Sequence, residues 1–227
     1  MVSTISGPLP TAARPLVNFD YVDISTGTGY REYYGGALAS GALHSYRLSD
    51  NVFYSDKVST IAYHSSSPAE GVYTKRQDLD FDLKFALPQI VDGTAIIVVP
   101  HSIFTSNVGK TVTGFVNVRI RKWDGSNVIE IAQASGAVVN VPGSDSPKQH
   151  QAAIKVICPR TKFKKGDTIR VTAEHYINFN NDNTSCSYAI GHDPKSRTYV
   201  DKDRELNWAS AASVMSCQIP FKVDITG

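Results

Sequence analysis

Cysteine is scarce in this chain: Cys158, Cys186 and Cys217 are the three in 227 residues. An odd set without close spacing makes neither a zinc-ligand pattern nor a complete disulfide framework. Cys158 and Cys217 lie within apolar runs, which fits buried free thiols and synthesis in a reducing cytoplasm. Long hydrophobic runs are missing as well. Ala95–Val99 has the length of a buried strand, far short of the ~20 apolar residues that span a bilayer as a helix. Residues 1–16 hold Pro8, Pro10 and Pro15 and no apolar stretch of the about 7–15 residues found in a secretory signal. Neither sign of charge dominates, since 23 Lys and Arg stand against 21 Asp and Glu for a net charge of +2. Direct nucleic-acid binding is therefore not expected, because it calls for a clustered basic face. No window shows the apolar stripe of an amphipathic helix.

What the chain does have is alternation. Leu79, Phe81, Leu83, Phe85 and Leu87 occupy every second position, with Asp78, Asp80, Asp82, Lys84 and Ala86 between them. A period of two marks a strand with one face buried and the other in water. Val116, Val118 and Ile120 repeat the pattern against Asn117, Arg119 and Arg121. Ile169, Val171 and Ala173 repeat it again, and Met215 to Ile225 closes the chain in the same way. Strands are predicted at about 44–54, 58–63, 77–87, 94–99, 112–123, 127–133, 151–158, 167–177, 185–190 and 213–225. Pro220 cannot donate to a ladder, so it requires an edge or a bulge. Asp124-Gly125 and Lys165-Gly166-Asp167 read as hairpin turns. The fold class expected is all-β: a two-sheet sandwich, in particular a jelly roll, with helix confined to a turn or so near 202–212.

Residues 1–43 differ from the rest. They are rich in glycine, serine and threonine, yet carry Phe19, Tyr21, Tyr30, Tyr33 and Tyr34. A disordered tail is poor in aromatics, so the division expected is an extended assembly arm, 1–43, ahead of a sandwich domain, 44–227, the alternative being a flexible leader followed by an ordinary first strand. Fully extended, such an arm reaches up to ~130 Å.

Chemical motifs fail when tested. Gly109-Lys110-Thr111 resembles the end of a phosphate-binding loop, but the required first glycine falls at Phe104. Gly27-Thr28-Gly29 lacks the third glycine of a dinucleotide fingerprint, where Glu32 stands. The six histidines show no metal-ligand spacing. His192-Asp193-Pro194 is either a metal site or acid/base pair, or a turn, and the turn is the reading favoured, with Asp193 bonding local backbone and Pro194 fixing the geometry that follows. Asn178–Asn183 is rich in oxygen ligands but lacks the glycine and glutamate of a calcium loop. No catalytic residue, metal or cofactor is assigned, and the chain is expected not to be an enzyme. Trp123 and Trp208 are candidates for stacking on a sugar ring, the alternative being that they close the end of a core.

Three stretches then carry a resemblance: Phe19–Tyr30, Gly191-His192-Asp193-Pro194, and Ile219–Ile225 with the sequence IPFKVDI. The set resembles small all-β virion structural proteins, capsid decoration or minor capsid components, of environmental viruses and bacteriophages. The resemblance implies a particle-surface or minor capsid role with no catalytic residues to carry over. The partners it implies are copies of the chain, as a trimer or other cyclic oligomer, and other capsid proteins, with no membrane. The location implied is the virion, after synthesis in the host cytoplasm. A carbohydrate-binding module or host-attachment lectin using Trp123 and Trp208 is the alternative, and a hydrolase on a β scaffold the third class. The architectural expectation is directly measurable: circular dichroism will show β signal, and a helix content above roughly a quarter, near the average for soluble domains, would overturn it.

Overall fold

The structure, a computed structural model, describes residues 28–40, 43–64, 71–143, 147–179, 185–201, 206–208 and 213–222. These residues form strands and connections, with no helix among them. In chain order the strands are β1 (Thr28–Ser40), β2 (Leu43–Ser49), β3 (Ser59–His64), β4 (Thr74–Lys84), β5 (Gln89–Phe104), β6 (Thr111–Trp123) and β7 (Val128–Ser135). They continue with β8 (Val139–Pro142), β9 (Lys148–Phe163), β10 (Thr168–Phe179), β11 (Cys186–Gly191), β12 (Tyr199–Asp201), β13 (Leu206–Trp208) and β14 (Ser216–Lys222).

Hydrogen bonding runs continuously through β3-β11-β5-β14-β1-β2-β4-β10-β6-β7, with β9 on β5 and β8 on β6. The path folds over on itself where β2 meets β4 in parallel, at the two pairs Tyr46↔Phe81 and Arg47↔Asp82. On one side of this hinge lie β11, β5, β9, β14 and β1; on the other lie β4, β10 and β6. The protein is all-β, and its wrapping is compatible with a jelly roll.

Two long strands organise the halves. β5 pairs with β9 along one edge, from Gln89 to Ile103. Its other edge is shared, with β14 opposite Ile90–Val98 and β11 opposite His101–Phe104. Pro100, with no N–H to give, stands between these two partners. β6 repeats the device, with β8 against Thr111–Gly114 and β7 against Asn117–Trp123. The corner between them packs down on β9. A Cβ at Gly136 would sit 3.2 Å from the Cβ of Ala152.

The inward positions form one large core. Val91, Ala95, Ile97, Ile154, Val156, Cys217, Ile219 and Phe221 face Leu79, Phe81, Val116, Val118, Ile120, Ile169 and Val171. Leu79, Phe81, Phe85, Val116, Val118, Ile120, Ile169, Val171, Ile219 and Phe221 are inside as the alternation placed them, and Leu83 is half-buried at the rim. The pattern overran at Leu87, which is exposed, because β4 stops at Lys84 and the chain turns through 85–88. Pro220 sits at a register shift of β14 against β5, between Gln218 and Phe221, so the bulge reading holds and the edge reading does not. All three cysteines are buried free thiols.

The boundary expected at residue 43 needs correction. Residues 28–40 of the supposed arm are β1, paired to β14 on one edge and β2 on the other. Tyr33 points into the core and meets Phe221 edge-on at 6.3 Å between ring centroids. Phe19 and Tyr21 lie outside the described residues. The central packing is tested by Phe81→Ala. It removes a fully buried ring and should lower the unfolding free energy by about 3–5 kcal/mol in denaturant titration; an unchanged midpoint would place Phe81 on the wrong face.

Candidate functional site

The outward faces of the two halves differ in chemistry. On β4, β10 and β6 the outward residues form a charged ladder. Arg170 donates to both oxygens of Asp82 at 2.7 and 2.8 Å, and its guanidinium is 3.1 Å from Asp80. Thr172 donates to Asp80 at 2.6 Å. Further along, Glu174 is 1% exposed in its side chain and accepts from Asn117 at 2.8 Å and from Lys75 and Arg119 at 3.1 Å. Burial works against its charge, but these bonds outweigh it and hold the carboxyl below its usual value. Opposite charges facing each other across strands leave this surface satisfied within itself.

The outward face of β1, β14, β5 and β9 carries apolar residues instead. Register places them in rows. Tyr34, Ser216, Val98 and Ala153 make one row, and Glu32, Gln218, Ile96 and Lys155 the next. Tyr30 lies opposite Pro220 and Thr94 opposite Ile157 in the row beyond. Ile157 is 78% exposed in the middle of a 16-residue strand. The tyrosines expected in an arm are thus divided, Tyr33 inward and Tyr30 and Tyr34 on this face, both half-buried. Sequence reading found the aromatics but not the row, because the row exists only once four strands distant in sequence are aligned.

Trp123 lies at the end of β6 and lines a cleft of about 470 Å³ with Tyr46, Arg47, Asp82 and Lys84. The cleft arises because β2 and β4 pair at only two positions and then separate. Trp123 is 37% exposed, and the Arg170 guanidinium lies over its ring at 5.9 Å. Trp208 pairs through its backbone with Tyr199 in the β12–β13 hairpin, away from β6 in the strand order. The structure does not bring the two tryptophans together on one sheet.

His192 and Asp193 are both fully buried at a corner. Asp193 accepts from the backbone N–H of Lys195 and Arg197 and from the Arg197 side chain at 2.7 Å. Arg197 in turn donates to the carbonyl of Ser55 and lies 4.2 Å over the Tyr54 ring. His192 Nε2 shares a hydrogen bond with Thr60 Oγ1, which also bonds Tyr46. The turn reading of this motif is therefore the structural one, with Arg197 tying it to the β2–β3 connection. Among the described residues no group of three His, Cys, Asp or Glu is arranged to hold a metal ion. No described helix is long and apolar enough to cross a membrane.

No family model matches the sequence, and no curated protein matches it. Solved structures do. The chain is similar to a CocE/NonD family hydrolase from Staphylococcus aureus, at 13% identity and a TM-score of 0.43, covering 83% of this chain and 36% of that one. It is similar to an aminopeptidase from a marine sediment Thaumarchaeota archaeon, at 9% identity and a TM-score of 0.46, covering 84% of this chain and 37% of that one. It is also similar to the structure of infectious bursal disease virus, Gx strain, at 9% identity and a TM-score of 0.28, covering 99% of this chain and 59% of that one. The expectation of a chain without enzymatic activity is corrected by the hydrolase and aminopeptidase likenesses. This chain spans little more than a third of those two enzymes, and at such scores no reaction passes from them to particular residues here.

The charged ladder is testable through Glu174→Gln, which keeps the shape and removes the charge. The substitution should cost about 1–3 kcal/mol at pH 7, as for a buried hydrogen-bonding group losing its best partners. Because the folded carboxyl binds its proton less readily than an unfolded one, its stabilisation is complete above the ordinary value near ~4.3. It is lost as pH falls through the lowered folded value, so the gap between variant and wild type should close there. A gap of constant size from pH 7 to pH 3 would show that the charge contributes nothing.

Proposed function

We propose that the chain is a structural subunit of a virus particle, packing against a second copy of itself through the outward face of β1, β14, β5 and β9. The observation that carries the reading is the set of apolar residues on that face, above all Ile157 standing exposed on the same face as Ala153, Val98, Ile96, Tyr34 and Tyr30. An antiparallel sheet with one face in water alternates apolar-in and polar-out; here the outward set includes Tyr30, Tyr34, Ile96, Val98 and Ile157 among its polar residues, which supports an interaction surface. The row Glu32, Gln218, Ile96, Lys155 supports a second copy of the chain as that partner. Its acid and base stand three strands apart, ~14 Å at the usual strand spacing. A two-fold axis through the middle of the row would lay each Glu32 over the other copy's Lys155. That is the self-complementary contact of an isologous pair, a cyclic oligomer of two copies in place of a trimer. Phe19 and Tyr21 we assign to contacts with neighbouring capsid subunits, and the virion is the proposed location.

Glycan binding is a second reading, supported by the open cleft beside Trp123. Array binding that disappears on Trp123→Ala would support it, and binding that survives the change would remove it.

The assembly reading is tested with Ile157→Asp. At an exposed position the change should leave thermal stability within about ±0.5 kcal/mol, yet shift sedimentation from dimer to monomer and keep the chain out of particles. Mass spectrometry of intact wild-type particles should find it at a fixed copy number. A variant that sediments and incorporates like wild type would contradict the proposal.

A further inference from the structure

A polar layer crosses the interior of the sandwich. Along β5 the inward residues run Val99, His101, Ile103, and along β10 they run Ala173, His175, Ile177. Val99 and Ala173 belong to the large core; Ile103 and Ile177 belong to a smaller one with Val112, Val141, Phe179, Cys186 and Tyr188. The histidines are the boundary between the two. His101 is the cross-strand neighbour of His150 in β9, and His175 that of Gln77 in β4. Each half of the protein thus contributes a polar pair. They meet where His101 Nδ1 lies 3.3 Å from His175 Nε2, with ring centroids 5.0 Å apart at 90°. Both of these rings are buried, and His175 Nδ1, His150 Nε2 and Gln77 Oε1 are buried atoms without a hydrogen-bond partner.

We propose that this layer is an acid latch: protonation of the His101–His175 pair frees the end of the sandwich built on the smaller core while the larger core holds. With both rings neutral, one nitrogen donates and the other accepts. Once both are protonated, two N–H groups confront each other and two positive charges face across the gap. Among the described residues no carboxylate faces the pair to offset that charge. From β9 come His150, its ring 5.5 Å from His101, and Lys148, both of which would add positive charge. From β11 come Tyr188, 5.9 Å from His175, and the buried thiol of Cys186. From β4 come Gln77 and Arg76, whose carbonyl accepts the Tyr188 hydroxyl at 3.2 Å and whose guanidinium lies over Phe179. β6 presents Gly114 and Val116, which do not titrate. Glu174, next to His175 in sequence, points out of the opposite face of β10 into its own ladder.

Burial, aided by His150, holds His101 down to about 3, and burial with the two other histidines holds His175 well below its ordinary value. The folded state therefore binds these protons less readily than the unfolded one. The latch is fully closed above the ordinary histidine value of ~6.5 and weakens as pH falls from there toward 3. For each histidine, the opening constant rises by up to ~tenfold per pH unit.

Hydrogen–deuterium exchange of the full wild-type chain at pH 7.5, 5.5 and 4.5, corrected for intrinsic rates, tests this. Amides of β8, β11 and residues 177–179 should lose at least ~tenfold more protection on acidification than those of residues 79–83 and 169–173, which is the signature of sub-global opening. The double variant His101→Asn, His175→Gln should flatten that pH dependence. If it does not fold, the wild-type profile decides alone. Protection in β8 and β11 that is unchanged down to pH 4.5, or that fades in step with the large core, would overturn the latch.

Discussion

Two backbone pairs, Tyr46↔Phe81 and Arg47↔Asp82, are the hydrogen-bonded join where the strand path folds from one half onto the other. Beyond that join, the halves are held face to face by side-chain packing between β5, β9, β14 and β1 on one side and β4, β10 and β6 on the other, with a few side-chain hydrogen bonds between them such as His101–His175 and Tyr188 to the Arg76 carbonyl. Large apolar side chains contribute about 1.5–3 kcal/mol each when fully buried, so the closed sandwich rests on the inward positions being apolar. Where that rule is broken, at His101, His150, His175 and Gln77, the interior divides into two cores. An intersheet contact made by a hydrogen bond between imidazoles responds to protons; one made by Phe81 and Val118 does not.

Fixing the inward faces leaves the outward ones free to diverge. The face of β4, β10 and β6 spends its polar groups on itself, Arg170 on Asp82 and Asp80, Arg119 and Lys75 on Glu174. The face of β1, β14, β5 and β9 has two isoleucines, a valine and two tyrosines where water-facing strands carry polar residues. The contrast between two faces of one molecule is what separates an interaction surface from ordinary exposed hydrophobes, which are common singly.

The core was legible because alternation is local: Leu79 to Phe85, Val116 to Ile120 and Ile169 to Ala173 each announce their buried side within a few residues. β1 was not, since its glycines read as part of an extended arm. Their reason is distant in sequence. A Cβ at Gly35 would come 2.9 Å from Met215 Sδ, and one at Gly36 would run into the Phe53 ring. The histidine layer was invisible for the same cause, His101 and His175 being 74 residues apart. His192-Asp193 could be read locally as a turn and is one. The reading of no enzymatic activity rested on missing motifs, and a catalytic group assembled from separate strands leaves no motif to find.

Covalent footprinting of the chain, free at low concentration and assembled in particles, bears most directly on the apolar face as the surface of assembly. Protection on assembly should centre on Tyr30–Tyr34, Ile96–Val98 and Ala153–Ile157, with Asp80, Asp82 and Arg119 labelled equally in both states. Protection falling on the charged ladder, or no difference between free and assembled chains, would contradict it.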